Sequence, residues 1–201
     1  MSPYTIADAE AEARAAIDSG DPERIAAAER AVDALDVKPA PVSMLSAALW
    51  YAQEGLVVFP LQPGTKIPLK GSHGCLDASC DAQKVAAWWT RTPEANIGLA
   101  TGGLVDVVDI DGSEGQRSRV AHWDDIFAAI DADNLGKVLT PRRGGMHIYV
   151  PATGDGNAAN IVPSVDYRGQ GGYVVAPPSR TPEGTYRWLG QPKLTCMAGV
   201  A

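Results

Sequence analysis

The chain has 201 residues, 45% of them hydrophobic and 20% charged, enough to bury a core in one compact domain with an appendage or in two small units sharing a cleft. No apolar run approaches the length of a bilayer span, Met1 to Ala13 has neither a basic start nor an apolar stretch, and Cys75, Cys80 and Cys196 are too few for a disulfide framework. The expectation is a cytoplasmic protein with no membrane partner. The net charge of −7 excludes a strongly basic face, but the first 36 residues hold nine acidic and three basic side chains, leaving 14 basic against 15 acidic beyond them, so a local basic groove is possible.

Thr5 to Leu35 is rich in Ala, Glu, Asp and Arg and breaks at Ser19-Gly20-Asp21-Pro22, which predicts two helices, the second starting at Pro22 with Asp21 as its cap. Few large apolar residues mark this acidic hairpin, so weak packing or a partner-facing role is expected, and Lys38 to Pro41 reads as a linker. A second region over residues 42–201 would follow the extension of residues 1–41. Its first helix is predicted over Ser43 to Glu54, stopped by Gly55, with a buried strand over Leu56 to Leu61 and a Pro63-Gly64 turn that presents Lys66.

Gly71 to Asp81 brings together His73, Cys75 and Cys80. H-x-C-x4-C matches no standard zinc finger and has no second C-x-x-C, so a polar surface loop is the preferred reading over a zinc site. Asp81 then caps a helix that turns Val85, Trp88 and Trp89 to the core. The glycines of Asn96 to Gly103 let the backbone approach something closely, a phosphate or ribose being one candidate.

Val105 to Asp111, Val-Asp-Val-Val-Asp-Ile-Asp, is the most telling stretch. As a strand it turns Val108 and Ile110 one way and Asp109 and Asp111 the other, and two neighbouring carboxylates call for a cation. Oxygen ligands favour Mg²⁺ or Mn²⁺; the plainer alternative is a solvated strand end entering an Asp-Gly turn. An amphipathic helix is predicted over Val120 to Ile130, with Asp124 and Asp125 outside.

Thr140 to Val150 sets Arg142 and Arg143 before two glycines and a strand that carries Gly145, His147 and Tyr149 on one face. Guanidinium forks suit phosphate oxygens, and an imidazole adds a donor. Further on, Asp166 and Arg168 share a strand face, Gly169 to Gly172 makes a tight turn, and Tyr173 to Ala176 returns. The alternative there is a surface ion pair of little energetic weight.

Taken in order, Asp109 and Asp111, then Gly145 and His147, then Asp166 resemble the primase-polymerase domain of the archaeo-eukaryotic primase superfamily, the type found in phages and plasmids. Thr65-Lys66-Ile67-Pro68, His73-Gly74, the Trp88-Trp89 helix, Asn96-Ile97-Gly98, Thr101-Gly102, Thr140-Pro141, Gly144-Gly145 and the Arg168 to Ser179 hairpin resemble its flanks, so the likeness runs over about residues 43–190. The family often has Ser where Gly145 stands, an extra arginine lies between Pro141 and Gly144, and no zinc-binding stem is transferred.

The resemblance implies an α/β (α+β) fold of the archaeo-eukaryotic primase type, a small αβ unit and a unit similar to an RNA-recognition motif flanking an active-site cleft. It further implies template-directed nucleotidyl transfer on single-stranded DNA template and primer from nucleoside triphosphates, in replication of a phage or mobile element in a bacterial host, with a separate helicase. Asp109, Asp111 and Asp166 would hold two Mg²⁺ or Mn²⁺ ions, and His147, Arg143 and Arg168 the triphosphate, helped by Lys66 and Arg142. A metal-dependent nuclease or phosphodiesterase needs the same carboxylates and would remove labelled ends without triphosphates. A non-catalytic nucleotide- or DNA-binding replisome module would bind triphosphate without turnover.

Overall fold

Ser43 starts the first well-packed helix by accepting the Ser46 N–H on its hydroxyl at 3.0 Å, which supplies one of the bonds a helix start lacks. That helix, α1 (Met44–Gln53), buries Ala47, Ala48, Tyr51 and Ala52. The computed structural model describes residues 43–122 and 126–194, together with Glu12, Ala15, Ala16, 18–21, 23–25 and Ala27. After α1 come β1 (Val58–Leu61), a 3-10 turn (Gly74–Asp77), α2 (Ala82–Arg91), β2 (Asn96–Ala100), β3 (Val105–Ile110), α3 (Gly112–Ala121), α4 (Ala128–Ala132), β4 (Gly136–Leu139) and β5 (Met146–Pro151). β6 (Ala158–Val162), β7 (Val165–Arg168), β8 (Tyr173–Ala176), the short pair β9 (Arg180–Thr181) and β10 (Gly184–Thr185), and β11 (Arg187–Leu189) complete a mixed α+β chain.

β1, β2 and β8 form a small antiparallel sheet, and β11-β4-β5-β3-β7-β6 a larger antiparallel one with β3 inside it. Alternation along β3 serves two cores. Val105 and Val107 join the cluster shared with the small sheet and α1, while Val108 and Ile110 join a second cluster on the opposite face with Met146, Ile148 and Phe127.

Three expectations change here. The single helix expected over 120–130 falls across α4 and the last residues of α3, which starts earlier, at Gly112, straight after Asp111; residues 123–125 lie outside the described ones. The buried side of α3 is polar, with Gln116, Ser118 and Arg119, so no apolar periodicity announces it. The glycine-rich stretch opens with a buried strand, and two of its glycines make room for protein: a Cβ on Gly98 would stand 2.5 Å from the Phe59 ring, and one on Gly102 2.2 Å from the Gln170 backbone.

The N-terminal hairpin is also better packed than expected, where it is described. Asp21 caps the second helix through the Glu23 N–H at 2.9 Å, and Ala16 and Ile25 are buried in the cluster behind the large sheet. Asp18 reaches buried Arg119 and Lys137, 3.3 Å from each, and Asp131 lies 2.7 Å from Lys137. The linker expected over Lys38 to Pro41 and the part of the first expected helix before Glu12 lie outside the described residues.

Candidate active site

Antiparallel register makes the site. On the large sheet Asp109 of β3 stands directly opposite His147 of β5 on one side and Asp166 of β7 on the other, so the three form one row across adjoining strands on one face. Two residues along, Val107 faces Arg168, which brings that guanidinium onto the same face. Its Nη2 donates to Asp166 Oδ2 at 2.8 Å and to Asp109 Oδ2 at 3.4 Å, bridging the two carboxylates. Asn160, in the left-handed region (φ 51°), donates its N–H to the other Asp166 oxygen at 2.8 Å.

Asp111 follows the end of β3 at the N-terminus of α3, and its backbone N–H donates to the carbonyl of Ser164, a residue with φ 60°, at 2.9 Å. Its carboxylate caps nothing; it accepts from Arg142 Nη1 at 3.0 Å. Each acidic side chain of the set is thus matched by an arginine.

A cavity of about 470 Å³ opens between the two sheets, large enough for a small polar ligand. Asp109, Asp111, His147 and Arg168 line it from the large sheet and its loops, with Lys66 and Arg142, and the chain from Gly171 to Val175 lines it opposite. Tyr173, in that chain, is anchored by its hydroxyl donating to the Lys66 carbonyl at 3.2 Å. Asp166, Arg143 and Gly145 do not line the cavity: Asp166 stays beside Asp109 under Arg168, and Arg143 is exposed in the loop before β5.

Gly145 has a steric role. A Cβ there would stand 2.2 Å from Thr140 Oγ1, so the place of a side chain at 145 is taken by the Thr140 hydroxyl, which does line the cavity. Asn157 and Tyr186 line it as well. Neither carries a sequence signal, since both sit in irregular stretches next to strands.

His147 is buried, with Nε2 3.5 Å from Asp109 Oδ1 and its ring 5.7 Å from that of Tyr186. Burial pushes its pKa below 6.5; Asp109 pulls it back up, and Lys66 and Arg168 add to the depression. The imidazole is therefore neutral at pH 7 and offers one N–H rather than a charge. His73, Cys75 and Cys80 do not line the cavity: His73 Nδ1 is 3.2 Å from Asp77, Cys75 Sγ lies behind the lining, 3.6 Å from the Gly171 carbonyl, and Cys80 is exposed.

The donor set fits a hard divalent cation in kind, since Asp109 and Asp111 line one cavity and accept hydrogen bonds there from the guanidinium groups of Arg168 and Arg142. Among the described residues, however, no three His, Cys, Asp or Glu side chains stand close enough to make a finished metal cage. Carboxylates, cations and a neutral imidazole in one cleft can bind a polyanion together with divalent ions. Residues 48–200 match the family model described as bifunctional DNA primase/polymerase, N-terminal. No curated protein matches the chain.

Proposed function

Because the chain belongs to the bifunctional DNA primase/polymerase family, we propose that it is a nucleotidyltransferase that extends or starts a strand on single-stranded DNA, with its active site in the cavity between the sheets. The observation that carries the placement is the row Asp166, Asp109 and His147 across three neighbouring strands, with Asp111 at the strand end. Asp109 and Asp111 would hold divalent Mg²⁺ or Mn²⁺, with Asp166 beside them. Ions bound there would lower the pKa of the attacking 3′-hydroxyl and neutralise the departing pyrophosphate.

The chain's own cations do the rest. Lys66, Arg142 and Arg168 draw a triphosphate into the cavity and fix its phosphates, Arg143 adds positive charge outside it, and neutral His147 supplies a donor without competing for charge. The 3′-hydroxyl releases its proton to solvent, its oxygen bonds to the α-phosphorus, the α–β bridging P–O bond breaks, and pyrophosphate leaves. The Thr140 hydroxyl occupies the place of the serine hydroxyl that the family often carries at Gly145. Replication of a mobile element, a cytoplasmic location in a bacterial host and a separate helicase complete the reading.

Incubation with single-stranded DNA, with and without primer, with ribo- or deoxynucleotides and with either metal tests it. Asp109→Asn and Asp111→Asn should each lower extension at least about 10³-fold while the fold survives, because Arg168 keeps Asp166 when Asp109 is replaced and the Arg142–Asp111 pair is exposed to solvent. Extension at the wild-type rate in either variant would reject the assignment.

A further inference from the structure

Charge is balanced in the cavity without any ligand. Asp109, Asp111 and the adjoining Asp166 are offset by Lys66, Arg142 and Arg168, and two of those cations are already committed to the carboxylates: Arg168 to Asp109 and Asp166, Arg142 to Asp111. A divalent ion arriving alone would meet carboxylates already paired with guanidinium groups. A triphosphate arriving alone would meet arginines held by carboxylates. Each half of the site is masked by the other half.

Resting on the function proposed above, we propose that Arg168 and Arg142 are exchangeable counter-cations, which hold the metal-binding carboxylates in the free protein and pass to the phosphates of the incoming nucleotide when divalent ions take their place. Two divalent ions cancel the roughly four negative charges of a nucleoside triphosphate, so joint binding keeps the cavity balanced and single binding does not. Metal and nucleotide therefore bind cooperatively, and by linkage each tightens the other by the same factor. Geometry permits the exchange: the Arg142 and Asp111 side chains are 67% and 50% exposed, and the Arg168 side chain is 35% exposed, so both arginines have room to move. Both also line the cavity that a polyphosphate would enter.

The test is Mn²⁺ binding to the full chain, followed by the electron paramagnetic resonance signal of free Mn²⁺, with and without a nucleotide analogue that has a non-cleavable α–β bridge. In the wild type the analogue should tighten Mn²⁺ binding about tenfold, within the usual range of coupling between two ligands. Arg168→Gln should bind Mn²⁺ several-fold more tightly than wild type without analogue, yet gain little when the analogue is added. Arg142→Gln should move the same way by a smaller factor, and because its ion pair is exposed it serves even if Arg168→Gln does not fold. A purely structural arginine would lower both affinities.

The proposal is overturned if Mn²⁺ binds the arginine variants no more tightly than wild type without analogue, or if the analogue tightens Mn²⁺ equally in all three proteins. Asp109→Asn separates this from the functional reading. If that variant loses Mn²⁺ while the arginine variants show no tightening, the carboxylate site stands and the exchange fails. If Asp109→Asn and Asp111→Asn both bind Mn²⁺ as wild type does, the metal site itself fails and the exchange with it.

Discussion

His147 shows how one residue can be set by opposing forces. Burial disfavours its charged form, while Asp109, with a carboxylate oxygen 3.5 Å away, favours it, and burial wins. The unfolded chain takes up a proton on this imidazole near pH 6.5, and the folded chain resists doing so until a lower pH. Between those two values the unfolded state holds more protons, so acid favours unfolding. The contribution of His147 is fully present above 6.5 and is lost as the pH falls through the folded value. With EDTA present, the melting temperature of the wild type should therefore drop more steeply from pH 7.5 to 5.0 than that of His147→Gln, which has no such proton to take up. Parallel curves would remove His147 from the pH response.

Among elements, α3 connects the cavity to a buried ion cluster. It starts at Asp111, beside the cavity, and carries fully buried Arg119 in its last turn, where Asp18 and Asp131 meet it from other parts of the chain. Lys137 of β4 completes a cluster of two cations and two carboxylates. Removing one carboxylate takes a counter-charge away from two poorly solvated cations, which costs several kcal/mol in a fully buried setting and less here because Asp18 is 42% exposed. Asp18→Asn should thus destabilise the fold by about 1–3 kcal/mol in urea unfolding, with a smaller loss for Asp18→Glu. A variant as stable as wild type would show that the hairpin is held by its apolar contacts alone. The same helix marks the limit of what could be read in advance. The alternation of Val105 to Asp111 needs only the pleat of one strand, and the Asp21 and Asp81 caps need only three or four residues, so these were legible. The register that sets Asp109 between His147 and Asp166 depends on pairings across 38 and 57 residues. The family likeness ordered those residues but could not fix the pairing, nor show that Arg168 ties two of them together. Neither the polar buried face of α3 nor the ring of Phe59 over Gly98 has a local signature at all.

At the scale of the whole molecule, the question is what covers the back of the large sheet. The family match begins at residue 48, yet Ala16 and Ile25 belong to the same apolar cluster as Val108, Ile110, Met146 and Ile148, and Ile25 is 2% exposed. The strands that carry the candidate active site on one face thus rest, on the other, against residues outside the matched region. Trimming one buried isoleucine to alanine costs about 2–5 kcal/mol, and losing Asp18 removes its share of the ion cluster, against a total stability of about 5–15 kcal/mol for a domain of ordinary size. A chain lacking residues 1–41 should then melt at least about 10 °C lower than the full chain and bind an apolar dye at pH 7, because the faces of β3 and β5 behind the site would meet water. Ile25→Ala alone should give an intermediate melting temperature, which ties the effect to this contact rather than to chain length. Primer extension by the shortened chain should fail at a lower temperature than by the full chain, in step with its melting. If the shortened chain melts within a few degrees of the full one and binds no dye, residues 42–201 cover their own core, and the N-terminal helices are left free to serve another partner.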